Sequence, residues 1–140
     1  MRKVVSCILC MSILFVMLCS PIAFANEESN KYISTYGASA SLPSSGTLRI
    51  EFLVLGTGLM SSIGASTIVI YKNGAAYYTF YSSNPAYNAK MVKYNAYYNI
   101  DGYVTFPVSA GNTYYAEVTF FATDSTGTGT EACFTNSVTV

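Results

Sequence analysis

The chain has no histidine and no tryptophan, and only 10% of its 140 residues are charged. The missing histidine removes the commonest general base and the commonest metal-ligating side chain. Ser–His and Cys–His nucleophile pairs, and His-containing zinc sites, are excluded. No D-x-D-x-D-G run builds a calcium loop, and no cofactor motif is present, so no cofactor is expected. No basic run lies beyond the first residues. Nucleic-acid binding and electrostatic docking on a membrane therefore lack their usual driving force.

Cysteine is nearly as scarce. Cys7, Cys10 and Cys19 lie in an amino-terminal segment with the grammar of a secretory signal. Arg2 and Lys3 are followed by an apolar run, Val4 to Leu18, then Ser20-Pro21 and the A-x-A site Ala23-Phe24-Ala25. A membrane span needs about 20 apolar residues, and the run before Pro21 is shorter. Residues 1–25 are expected to be removed, releasing a secreted, extracellular chain. Lipid attachment at Cys19 is not expected, because bulky Leu18 precedes it. The mature chain then keeps five basic and seven acidic residues and one thiol, Cys133. No intrachain disulfide can form, so the fold must rest on its core. Cys133 is expected to be a half-buried apolar side chain, with a bridge to a second chain as the alternative.

What the chain has in quantity is period-two alternation, the mark of half-buried strands. Residues 26–31 form a polar lead-in, and residues 32–140 a single domain. A strand from about Tyr32 to Leu42 ends at Pro43. Thr47 to Leu55 puts Leu48, Ile50, Phe52 and Val54 on one face, opposite Arg49 and Glu51. Gly56-Thr57-Gly58 connects it to Ser62–Lys72, with Leu59 and Met60 folding back on the core. Asn73-Gly74 is a strong hairpin signal, and Ala75–Tyr81 is the return strand. Gly102–Val108 turns Val104, Phe106 and Val108 inward. Tyr114–Ala122 does the same with Tyr114, Ala116, Val118, Phe120 and Ala122. Phe134–Val140 closes the chain with Val138 and Val140 toward the core. No helix is expected. About seven short strands in an all-β chain point to a two-sheet sandwich.

Val108-Ser109-Ala110-Gly111-Asn112-Thr113-Tyr114 resembles the L-x-P-G-x-x-Y corner of fibronectin type III domains, with Ala110 where proline is frequent. The resemblance implies a fibronectin type III or immunoglobulin-like sandwich. It also implies that Gly111 forms a structural corner and that the Tyr114 hydroxyl bonds the backbone upstream. A closer likeness rests on Gly56-Thr57-Gly58, Met60, Ile63-Gly64-Ala65-Ser66-Thr67-Ile68, Tyr94-Asn95, Val104-Thr105-Phe106, Ala110-Gly111 and Tyr114-Tyr115-Ala116. These are similar to an uncharacterised family of small secreted proteins from clostridium-like bacteria. Relatives carry a histidine shortly before the Val104 strand, where this chain reads Tyr98-Asn99-Ile100.

Motifs that suggest catalysis fail on context. Asp124-Ser125-Thr126-Gly127-Thr128 resembles the phosphorylation loop of cation-pumping ATPases, but it lacks the lysine and the α/β surroundings. It is expected to be a flexible hairpin loop. Gly56-Thr57-Gly58 has no G-K-[ST] and no following helix, so it is no phosphate loop. Asp101 and Asp124 lie in different loops, and a paired-carboxylate enzyme is not expected. Glu117 and Lys72 are expected on neighbouring strands as a solvated pair.

Tyrosine is the unusual feature, with 13 in the chain. Eight fall between Tyr77 and Tyr103. Ser82 to Asp101 reads as a long Tyr/Asn loop that also carries Lys90 and Lys93. Tyrosine offers rigid amphipathic contact at small entropy cost, and asparagine adds adaptable hydrogen bonds. Tyr87, Asn88, Tyr94, Asn95, Tyr97 and Tyr98 are the candidate binding residues, for a glycan or an extracellular protein. The plainer alternative is that tyrosine suits strands and caps a sandwich edge. At the level of the whole protein, a non-catalytic binding module is expected. A structural, self-associating homo-oligomer is the alternative.

Overall fold

The computed structural model describes residues 30–140. The signal segment, its cleavage after Ala25 and the lead-in before Asn30 lie outside the described residues. The described chain is all-β, with seven strands joined in antiparallel pairs and one short helix.

The strands are β1 (Ile33–Ser44), β2 (Thr47–Lys72), β3 (Ala75–Tyr81), β4 (Val92–Pro107), β5 (Thr113–Asp124), β6 (Gly127–Phe134) and β7 (Val138–Thr139). Helix α1 (Pro85–Met91) stands between β3 and β4. β2 organises the rest. Its first stretch pairs β1 on one edge and β4 on the other. Its last stretch pairs β5 and β3. β5 then pairs β6 and the short β7.

A straight strand of 26 residues would run for about 85 Å at about 3.3 Å per residue, far longer than a domain of this size. β2 therefore has to change direction within itself. Its register slips against β4 between Leu55 and Met60, and against β5 between Ala65 and Thr67. Gly56 makes room for the first change, because a Cβ there would lie 2.9 Å from Met60 Cγ. The strand thus continues through Gly56-Thr57-Gly58, expected as a connection between two strands, although its ladder with β4 skips residues 56–59. The glycines create a bulge, which bends a strand without ending it. Met60 is buried as expected, whereas Leu59 is exposed.

Leu48, Ile50, Phe52 and Val54 turn inward from the first stretch, and Ile68 and Ile70 from the last. Tyr114, Ala116, Val118, Phe120 and Ala122 join them from β5 in one core. The rings of Phe52 and Phe120 meet edge-on at 6.1 Å, and Tyr36 packs on Phe120 at 5.3 Å. Burying one such side chain stabilises the fold by about 1.5–3 kcal/mol. Asn73 and Gly74, at φ 50° and 85°, form the expected tight turn between β2 and β3.

Further expectations need correction. Ser82–Asp101 is no loop: it is α1 followed by the first half of β4. The expectation of no helix missed the Asn84 cap, whose side chain accepts the Ala86 amide at 3.0 Å ahead of Pro85. Asp124–Thr128 is a hairpin as expected, but a tight turn at Ser125-Thr126 rather than a loop, and Gly127–Phe134 pairs fully with β5. The closing strand Phe134–Val140 reduces to Val138–Thr139, because the chain leaves β5 at Asn136 to reach β1. There the Asn136 amide group accepts from the Ala40 N–H and donates to the Ala40 carbonyl, each at 2.9 Å.

Candidate functional site

The six candidate residues sit on α1 and on the start of β4. Asn84 and Pro85 fix the entry to the helix, since proline suits the first helical position. At the far end, the Asn99 side chain donates to the Met91 carbonyl at 3.3 Å, and Met91 is buried. The segment is thereby clamped at both ends.

Tyr87 points inward and is half-buried. Its ring packs edge-on against Phe80 at 4.8 Å, and its hydroxyl lies 3.4 Å from that of Tyr78. This hydrogen bond holds the Tyr78 phenol above the ordinary tyrosine value. Asn88 donates to the Ser82 carbonyl at 2.9 Å and exchanges longer hydrogen bonds with the Tyr94 hydroxyl. Tyr94, Tyr97 and Tyr98 are 60%, 61% and 50% exposed. Asn95 has φ 51°, in the left-handed region that asparagine tolerates better than most residues. It lies next to the β4 residues that span the bulge in β2. Of the six, Asn88 and Tyr94 are brought into contact, and Tyr87 belongs to the packing beneath them.

A charged group that the sequence did not single out adjoins this surface. The Arg49 guanidinium lies over the Tyr103 ring at 4.0 Å, with Lys90 at 5.4 Å from the same ring. Arg49 also bonds Glu51 at 2.8 Å. Lys93 pairs with Asp101, and its hydrogen bond holds that carboxyl below the usual carboxylate range. Arg49 lies some 40 or more positions from the lysines in sequence, so only the pairing of β2 with β4 brings them together.

A second aromatic group lies on the outward side of β2 and β5. Tyr71 and Tyr115 are register partners whose rings stack at 4.8 Å, with Phe134 edge-on to both. Burial, and then Glu117, raises the Tyr71 phenol, whose hydroxyl donates to the Glu117 carboxylate at 3.3 Å. Glu117 is opposite Val69 in register, and Lys72 is opposite Tyr114. The expected Glu117–Lys72 pair is thus replaced by the Tyr71 contact.

The remaining candidates are structural. Gly111 has φ 82°, and the buried Tyr114 hydroxyl accepts the Ser109 amide at 3.2 Å. The Ser109 hydroxyl and amide together hold the Tyr114 phenol below the usual tyrosine range. Asp124 accepts from the Thr126 hydroxyl and amide, each at 2.6 Å, which lowers its carboxyl and occupies it as a turn former. Cys133 is buried, which pushes its thiol up to about 11 and leaves it a poor nucleophile. Among the described residues, no three His, Cys, Asp or Glu side chains gather as a metal site. Comparison with protein-family models, with curated proteins and with solved structures finds no match to this chain.

Proposed function

We propose that this is an exported, non-catalytic binding module that holds a carbohydrate against Tyr94, Tyr97 and Tyr98. The observation that carries the reading is the exposure of these three rings on a strand clamped at both ends. Sugar rings present C–H faces that stack on aromatic rings, and Asn88 and Asn95 offer amide donors and acceptors for hydroxyl groups. A rigid platform loses little entropy on binding. Export rests on the Arg2-to-Ala25 segment, in keeping with the resemblance to secreted clostridial proteins.

The architecture that fits best is a sandwich of fibronectin type III or immunoglobulin-like kind. β2 would be shared between β1–β2–β4 and β3–β2–β5–β6, with the Phe52–Phe120 contact between the layers. A glycan and cell-envelope array probed with residues 26–140 tests the binding reading, beside the triple variant Tyr94→Ala, Tyr97→Ala, Tyr98→Ala. Binding that disappears in a variant still melting cooperatively is the expected outcome. Equal binding by both proteins places the ligand elsewhere, and binding to proteins alone replaces the carbohydrate. A self-associating structural role is favoured by a different feature, the uncovered edge of β3.

A further inference from the structure

The fold has several outer strand edges, and among the described residues those of β1, β6 and β4 carry a protective device. On β1, the Asn136 side chain occupies both backbone groups of Ala40. On β6, the Asn30 side chain donates to the Thr130 carbonyl at 3.0 Å. β4 carries the Lys93–Asp101 pair, the Asn95 distortion and a terminal Pro107. β3 has no such side-chain tie, ion pair or proline, and its one irregularity is a bulge at Tyr77, where the register with β2 slips between Ile70 and Tyr71. It pairs β2 alone, and its seven residues, Ala75–Tyr81, include no charge, proline or glycine. An uncharged edge, in regular register from Tyr78 to Tyr81, is a template for another strand.

Backbone alternation says which groups are free. The Ser82 amide donates to the Ser66 carbonyl at 3.0 Å, so Phe80 and Tyr78 also direct their backbone bonds at β2, opposite Ile68 and Ile70. Thr79, between them, turns its N–H and C=O outward, as Tyr81 does its N–H. Thr79 is half-exposed, and Tyr77 and Tyr81 beside it are 57% and 55% exposed.

We propose that β3 is a homodimerisation edge, pairing antiparallel with β3 of a second copy about a two-fold axis at Thr79. The segment Tyr77-Tyr78-Thr79-Phe80-Tyr81 is aromatic at both positions on each side of Thr79, so it matches itself when reversed. The axis sets Thr79 opposite Thr79, Tyr77 opposite Tyr81 and Tyr78 opposite Phe80. Aromatic cross-strand pairs favour such a ladder, and an isologous contact closes at two copies. The strand itself carries no charge, and the nearest described cation, Lys72, is held over the Tyr77 ring at 4.9 Å. This inference is independent of sugar binding.

Sedimentation equilibrium of residues 26–140, which hold every described strand, tests it from about 1 μM to about 1 mM. The expected result is a dimer forming as concentration rises. Thr79→Pro removes an outward amide that β2 does not use, and should leave a monomer throughout. Thr79→Lys sets two like charges at the axis and should weaken the dimer at least about tenfold. It decides the matter if the proline variant fails to fold. Thr105→Lys on β4 and the triple tyrosine variant should dimerise as the parent does. A parent that stays monomeric, a dimer indifferent to both Thr79 changes, or a dimer lost in Thr105→Lys overturns the proposal.

Discussion

At the scale of single residues, two polar atoms are placed where solvent does not compete. Tyr114 is 1% exposed, and its hydroxyl oxygen receives the Ser109 amide. Tyr114→Phe keeps the ring and removes the acceptor, which should lower unfolding free energy by about 1–2 kcal/mol in urea. Carbohydrate binding, if carried by Tyr94, Tyr97 and Tyr98, should be untouched. Cys133 gives a pH-dependent prediction. Burial raises its thiol from the ordinary 9.0 to about 11. The unfolded chain therefore loses that proton first as pH rises. The contribution is complete below pH about 9 and is lost as pH rises toward about 11. Stability should fall across that window, and less steeply in Cys133→Ala. A thiol reagent at neutral pH should label Cys133 no faster than the chain unfolds.

At the scale of elements, the controlling feature is the close approach of α1 and β4 to β2. Gly64 packs where any Cβ would strike the Met91 carbonyl, and backbone cannot retreat as a side-chain tip can. Gly64→Ala should cost about 1–3 kcal/mol or more, as overpacking does, and should disturb the clamp beneath Tyr94. Gly58→Ala, in open space on the bulge between Leu55 and Met60, should leave the thermal midpoint within a few degrees of the parent. Urea and thermal melts of the two variants, side by side, check both. The helix itself was signalled by Asn84-Pro85, a cap followed by proline at the first helical position. A dense run of tyrosine and asparagine on both sides obscured it, because those residues favour strands and turns. Seven helical residues also give too short a period to stand out.

At the scale of the whole molecule, the first and last parts of the described chain are tied together by side chains. Asn136 holds Ala40, and Asn30 holds Thr130 and Glu131. The Asn136 amide substitutes for a missing strand along the outer edge of β1, and the Asn30 amide does so on β6. Asn136→Ala should cost about 1–3 kcal/mol, because the Ala40 backbone loses both partners in a part-buried place. Hydrogen exchange at the Ala40 amide should accelerate, while exchange in the middle of β5 follows global unfolding. A variant whose Ala40 amide stays protected would show that β1 is held by its ladder with β2 and by packing, without Asn136. The edge of β3 has no comparable tie, which is why the proposed dimer contact falls there.

The sequence by itself determined the all-β character, the inward faces of β2 and β5, and the Asn73-Gly74 turn. Those follow from alternation and local backbone preference, which act over a few neighbouring residues. It also marked Tyr94, Tyr97 and Tyr98 by density alone. Only the tertiary structure decided that β2 runs unbroken from Thr47 to Lys72, because glycine permits either a bend or an end and the partners on β1, β4 and β5 select the bend. It likewise decided that Tyr87 packs inward while its neighbours face solvent, and that Arg49 and Lys90 meet at Tyr103. Each of those facts is a contact between residues distant in the chain, and a local pattern carries no information about which distant strand will arrive beside it.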